Sequence, residues 1–322
     1  MSNSTKIWLI TAASLILIGC MIFGGVMTML KWDFSKLSTN KYQTSNFEIS
    51  EDFKSIRINA DTADISLVPS KDGKCSVVYF GQTNLPLSVS VKDNTLAIEV
   101  IDGRKWYEHI GINFKAQKIT VYIPEGEYAQ LNVSSHTGAV EIPKDFRFED
   151  IDICENTGSV TNYASASNKI KIKTTTGSIR VENISARSLE LEVSTGSITA
   201  SSVIVEGDVG ISVSTGMASI SDLSCLSFKS TGDTGDILLK NVIANEKLSV
   251  NRTTGDIRFY GCDAAEIFVQ TDTGNVLGTL LSDKIFIANT DTGRKQVPNT
   301  VSGGRCEITT DTGDIKISIQ QQ

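Results

Sequence analysis

Apolar residues alternate with polar ones in short runs along most of this chain, and the runs recur on a fixed period. Aligned on glycine, Thr-Gly pairs fall at Thr137-Gly138, Thr157-Gly158, Thr176-Gly177, Thr195-Gly196, Thr215-Gly216, Thr234-Gly235, Thr254-Gly255, Thr273-Gly274, Thr292-Gly293 and Thr312-Gly313. Every interval is 19 or 20 residues. Seven positions before each glycine stand Leu131, Ile151, Ile170, Leu189, Val209, Phe228, Leu248, Ile267, Phe286 and Cys306, all apolar. The position five before is apolar except at Ser230, and the position two after is apolar except at Lys295. Alternation at −7 and −5 is the period of a half-buried strand. Glycine permits a sharp turn, and a second short strand resumes at +2. A looser apolar column recurs at +7, from Ile184 through Val203, Leu223, Val242 and Cys262 to Leu281.

A unit of this length cannot bury its own apolar face, but a stack of such units can. The expected fold is all-β. Residues 131–319 form a parallel β-solenoid of about ten coils, a rod core of roughly 50 Å at ~4.8 Å per coil. Like residues then stack in register, and the Thr column is expected to form a hydroxyl ladder. The −3 column resists this scheme, because Glu155 and Arg252 share it with Val193 and Val213. Residues 47–130 are β-rich but lack the period, and read as an N-terminal cap. Asp61-Thr62-Ala63-Asp64-Ile65 within them repeats the late T-D-T-G-D-I turn with alanine for glycine, which suggests an irregular first coil. Where Lys295 replaces a core residue, in Arg294-Lys295-Gln296-Val297-Pro298, the chain is expected to bulge outward.

The N-terminus has a different pattern. Ile7 to Leu30 is a run of 24 uncharged residues between Lys6 and Lys31, with Trp8 and Trp32 at its ends. Residues 1–30 therefore read as one transmembrane anchor, with residues 7–30 contacting the lipid bilayer. Leu17-Ile18-Gly19-Cys20 also resembles a lipobox, with lipidation at Cys20 as a rival reading, and a cleaved signal is a third. Residues 31–46 are a polar linker. Lys31, Lys36 and Lys41 follow the apolar run while only Lys6 precedes it, against the usual orientation of an exported domain. The expectation is nonetheless a single-pass protein of the cell membrane with its C-terminal domain outside the cytoplasm.

The N-terminal membrane segment, the TADISLVPS stretch at 62–70, VYIP at 121–124 and the serial Thr-Gly turns resemble the DUF4097 β-strand-repeat family, often called adhesin-like. The resemblance covers the chain from about residue 47 onward. It implies a bacterial cell-envelope protein with a β-solenoid fold, and no reaction, cofactor or catalytic residue.

Composition narrows the chemistry. A net charge of −7 and a pI of about 5.0 argue against a nucleic-acid partner. The scattered cysteines and the two histidines, His109 and His136, make no metal set, and the cysteines read as small buried hydrophobes. Asp-Thr-Gly occurs at residues 233, 272, 291 and 311, the tripeptide of aspartic proteases. The aspartate position, however, is His136, Asn156, Thr175, Ser194, Ser214 or Thr253 in other repeats, which marks a turn. Regular intervals also leave no long loops for a carbohydrate-cleaving site. The chain is expected to be no enzyme.

Asp233, Asp236, Asp256, Asp272, Asp291, Asp311 and Asp314 are cation candidates, since stacked carboxylates repel unless bridged. Phe268 and Ile287, apolar in a mostly polar −6 column, are a candidate contact patch in adjacent coils. The function expected is non-catalytic binding or scaffolding of an unknown protein, glycan or other envelope ligand. An envelope-stress sensor responding to a membrane-active ligand and a calcium-stabilised rod are the alternatives.

Overall fold

The computed structural model describes residues 2–33, 41–104 and 116–320. Lys36, His109 and residues 34–40 of the linker lie outside the described residues. Helix α1 (Asn3–Met29) is apolar enough to cross a membrane, with a mean hydropathy of 2.3 in its most apolar window, none of it buried.

The remainder is β-structure. The cap holds β1 (Tyr42–Ile49), β2 (Ser55–Thr62), β3 (Asp64–Pro69), β4 (Cys75–Gln82), β5 (Leu87–Lys92), β6 (Thr95–Val100) and β7 (Lys118–Ile123). The regular coils follow as β8 (Gly126–Ile142), β9 (Phe146–Asn162), β10 (Ser165–Ala186), β11 (Ser188–Val205), β12 (Asp208–Thr234), β13 (Ile237–Thr254) and β14 (Ile257–Thr273). The last are β15 (Val276–Leu280), β16 (Lys284–Thr292), β17 (Lys295–Gln296), β18 (Gly304–Thr312) and β19 (Ile315–Ile319).

From β8 to β14 the coils stack in parallel and in register around the Thr-Gly corner, with register shifts at Ala166/Lys169, Cys225/Ser227 and Ala244/Lys247. Ile170 pairs with Leu189, Gly177 with Gly196 and Ile179 with Ile198. One continuous core runs through the rod, built from the −7, −5 and +2 columns together with a +4 column that includes Val181, Ala200, Ile220 and Leu239. The −3 column also points inward. Ser135, Glu155, Thr174, Val193, Val213, Arg252, Thr271 and Thr310 are all buried, so the strand alternation continues one residue pair beyond the sequence expectation and the corner begins after it. In the +7 column a register shift between Phe259 and Cys262 buries Leu280 instead of Leu281, which is 42 % exposed.

At the N-terminal end, Thr62 pairs with Thr137 and Ile65 with Val140, so the alanine-containing turn is a coil of the stack. β6 and β7 add a further coil above it. Antiparallel strands then extend this end: β5 on β6, β4 on β7 and β1 on β4.

The C-terminal end departs from sequence order. β18 lies between β14 and β16, and β19 between β15 and β17. The coil around Gly313 is thus inserted between those around Gly274 and Gly293. Gly303 and Gly304 let the chain enter the slot, since a Cβ on them would lie 1.9 Å from Asp283 O and 1.8 Å from Ala265 O. The expected bulge at Lys295 is replaced by this exchange. In sequence order Lys295 would be buried between Val276 and Ile315, at a cost of several kcal/mol for an unpaired ammonium. As the outermost coil it leaves Lys295 exposed, and the better apolar set of Cys306, Ile308, Ile315 and Ile317 is buried in its place.

Candidate functional site

The stacked Thr-Gly corner is the feature that the sequence singles out. Its glycines are required twice over. Gly196 has φ 143°, which side chains rarely adopt, and a Cβ there would lie 1.7 Å from Gly177 O. The same contact recurs from coil to coil, and at Gly293 the contact with Gly313 O, at 2.0 Å, is the reason by itself.

The threonines before the glycines form an exposed, in-register column. Among the described residues, hydroxyl-to-hydroxyl bonding within this column joins only Thr292 and Thr312, at 3.3 Å, so the continuous ladder expected from sequence does not form. The bonded threonines are those of the −3 column. Thr310 Oγ1 donates to Gly274 O and Thr290 Oγ1 to Gly313 O, both at 2.9 Å, with longer contacts at Thr174 and Thr271.

The candidate aspartates fall into two rows. In the +1 row, each side-chain oxygen accepts a backbone N–H from the next coil. Asp236 Oδ1 takes Asp256 N, Asp256 Oδ1 takes Asn275 N, Asn275 Oδ1 takes Asp314 N, and Asp314 Oδ1 takes Arg294 N, at 2.8–2.9 Å. Arg258 bridges Asp236 and Asp256 at 3.4 and 2.6 Å, and Arg294 reaches Asp314 at 3.1 Å. The Arg294 N–H and guanidinium together lower the Asp314 pKa. These carboxylates already have partners. In the −2 row, Asp233, Asp272, Asp291 and Asp311 are exposed. Among the described residues no group of three His, Cys, Asp or Glu side chains is placed to hold a metal ion.

The expected contact patch is divided. The coil exchange puts Glu307 between Phe268 and Ile287. Phe268 is half-buried, with Lys247 Nζ 4.4 Å and Arg305 Cζ 5.6 Å from its ring centroid, so cations of neighbouring coils flank the ring. Ile287 stays exposed, at 40 %. Cys75, Cys225, Cys262 and Cys306 are buried as expected, and burial pushes their thiols up to about 11 or 12. Cys154 is exposed, because its −4 position faces outward.

Two features escaped the sequence reading. A second corner is made by Asn183, Ser202, Asp222 and Asn241, with φ of 51–55°, continued by Gly261 at 62°. Asn241 Nδ2 donates to Asp222 Oδ1 at 2.8 Å along this ladder. The available signal was a +6 column of residues that tolerate the left-handed region. The other feature is a pair of buried ionisable side chains in the −3 column. Arg252 Nη1 donates to Val213 O at 3.3 Å and Nη2 to Ser230 Oγ at 3.2 Å, in a space left free by Gly232. Burial lowers its pKa, and Asp233 offsets part of that. Glu155 is 1 % exposed and neither carboxyl oxygen has a hydrogen-bond partner. Burial raises its pKa to about 7, an effect that nearby Ser135 and Thr157 N–H offset only in part.

Comparison with known proteins bears on this geometry. The family model for Toastrack DUF4097 matches residues 53–214 and 206–322. A Parabacteroides distasonis structure named "Putative lipid binding protein" is 18 % identical, with 75 % of this chain and 95 % of that one covered and a TM-score of 0.49. A "putative adhesin" from the same species is 13 % identical, covering 86 % and 98 %, with a TM-score of 0.46. Another "putative adhesin", from Parabacteroides merdae, is 11 % identical, covering 87 % and 97 %, with a TM-score of 0.44. No curated protein matches the chain. Spanning both the irregular cap coil and the full run of Thr-Gly corners, the family match places the chain in the Toastrack DUF4097 family.

Proposed function

We propose that this protein is a non-catalytic binding or scaffold rod at the bacterial cell envelope. Residues 7–30 anchor it in the membrane, and the solenoid stands outside the cytoplasm. One observation carries the reading: the polar groups of the repeat are committed to holding coil on coil. The +1 carboxylates accept backbone N–H groups, and the −3 hydroxyls donate to glycine carbonyls. On the outer face, Lys169 and Lys171 pair with Glu190, and Lys173 with Glu192, at 2.8–3.3 Å. What such a rod offers is its length and its stacked faces, the surfaces that solenoids use for binding.

Protease added to intact cells tests the placement. The full chain should lose its C-terminal rod while a cytosolic marker survives; a protected rod would overturn the envelope reading. Saturable binding of the full-length protein to envelope glycans, lipids or proteins on an array tests the activity, and its absence across all three would remove it.

A further inference from the structure

Glu155 sits at a joint of the rod. It pairs in register with Ser135 on β8 and with Thr174 on β10. Neither hydroxyl serves it. Both carboxyl oxygens and Ser135 Oγ are buried without a hydrogen-bond partner, and Thr174 Oγ1 makes its long contacts with the carbonyls of Gly158 and Thr176. The charged groups that bear on it are His136 of β8, which favours the ionised form, and Asp64 of β3, which opposes it. Both are engaged at the corner: Asp64 Oδ1 accepts Ala139 N at 2.9 Å, and His136 Nδ1 lies 3.8 Å from Asp61 Oδ1 of β2. On β10, Lys173 is taken up by Glu192 at 2.8 Å. Water is nevertheless close. Cys154, Asn156 and Thr157 on β9, and Ser134, His136 and Thr137 on β8, are all exposed around the buried pair. Among the described residues β9 pairs with β8 and β10 alone, so the ladder from the cap to every later coil runs through β8–β9.

We propose that Glu155 makes the β8–β9 joint a pH-sensitive weak point, shut while the carboxyl is protonated and opening far more often once it is ionised. The inference does not depend on what the rod binds. A protonated carboxyl is a small cost in this interior, whereas a carboxylate without a partner is a large one. Burial keeps the proton on Glu155 up to a pH of about 7, against an ordinary value of 4.5. Stability from this group is therefore present below the lower value and lost as pH rises through the higher one. Each coil of a solenoid touches only its neighbours, so parting one pair of coils relieves the charge without unfolding the rest. The exposed residues on either side of Glu155 and Ser135 mean that a small separation hydrates the carboxylate. Where it occurs, the rod gains a hinge between its cap and its regular coils.

Amide exchange on the full chain in lipid discs tests this, with rates corrected for the intrinsic effect of pH on exchange. Between about pH 6 and about pH 8.5, protection of residues 131–138 and 151–158 should fall at least about tenfold relative to residues 237–244 of β13. Glu155→Gln keeps the shape and removes the charge, and should abolish that fall. The wild type also gives a reading that needs no variant: the Glu155 carboxyl carbon, followed by NMR, should titrate near 7. Equal loss of protection in all coils would show that no joint exists. Unchanged protection at residues 131–138 and 151–158, the same fall in Glu155→Gln, or a carboxyl that titrates at its ordinary value would each overturn the proposal.

Discussion

Glu155 and Arg252 occupy the same column of the same rod, five coils apart, and the interior receives them differently. Around Arg252 the preceding coil has glycine at the equivalent position. The guanidinium fills that space and reaches a carbonyl and a hydroxyl. Around Glu155 the preceding coil has Ser135, whose hydroxyl is itself buried without a hydrogen-bond partner. One charge has been given room and two acceptors, although its Nε stays without a partner, while the other sheds its desolvation cost by taking up a proton below about pH 7. A repeat thus sets where a side chain points. What that side chain costs depends on its neighbours one and two coils away.

The largest break of this contrast is Gly232→Val. A Cβ at residue 232 would lie 1.6 Å from Arg252 Nη1 and 2.1 Å from Val213 O, so the guanidinium loses its space and its acceptor. Denaturant unfolding should show a loss of about 3–5 kcal/mol. Adding Arg252→Thr should recover only the part of the loss that comes from the guanidinium, since the approach to the Val213 carbonyl remains, and a double mutant no better than the single would refute the pairing of these positions.

Next is the pH dependence of Glu155. Its folded pKa of about 7 lies above the ordinary value of 4.5. The folded state therefore binds more protons than the unfolded state between these pH values. Stability from this group is fully present below about 4.5 and is lost as pH rises through about 7. Glu155→Gln should remove that slope, leaving the variant relatively more stable than wild type at pH 8 than at pH 4.5 by about 3 kcal/mol. Parallel stability curves for the two proteins would contradict it.

The smallest effect concerns the corner outside. Asp256→Ala removes the acceptor of Asn275 N and Nδ2 and the partner of Arg258. About 1 kcal/mol should be lost, and chelator or added calcium should leave the melting temperature of wild type unchanged if these bonds are the row's whole role. A calcium-dependent rise in Tm would instead return a cation to the Asp272, Asp311 and Asp291 row.

Much of this architecture was legible from residue pattern alone. The −7, −5 and +2 columns predicted the inward face because strand alternation is local, and Thr-Gly located the corner because only glycine fits it. The inward direction of the −3 column was hidden by the polarity of Glu155 and Arg252, whose accommodation involves residues 20 to 39 positions distant. The second corner was hidden because Asn, Ser and Asp look like ordinary surface residues until their φ is known. Phe268 and Ile287 are not neighbours because adjacent repeats in sequence are not adjacent coils at this end of the stack.

By itself, the sequence determined the coil: its length, its apolar columns, its glycine corner and the apolar segment that precedes it. These follow from chain geometry within one repeat. Only the tertiary structure decided the order in which the last coils stack. Every coil presents nearly the same edge to its neighbours, so local preference does not choose among them. The choice falls to the free energy of burying Lys295 between two apolar coils or leaving it in water.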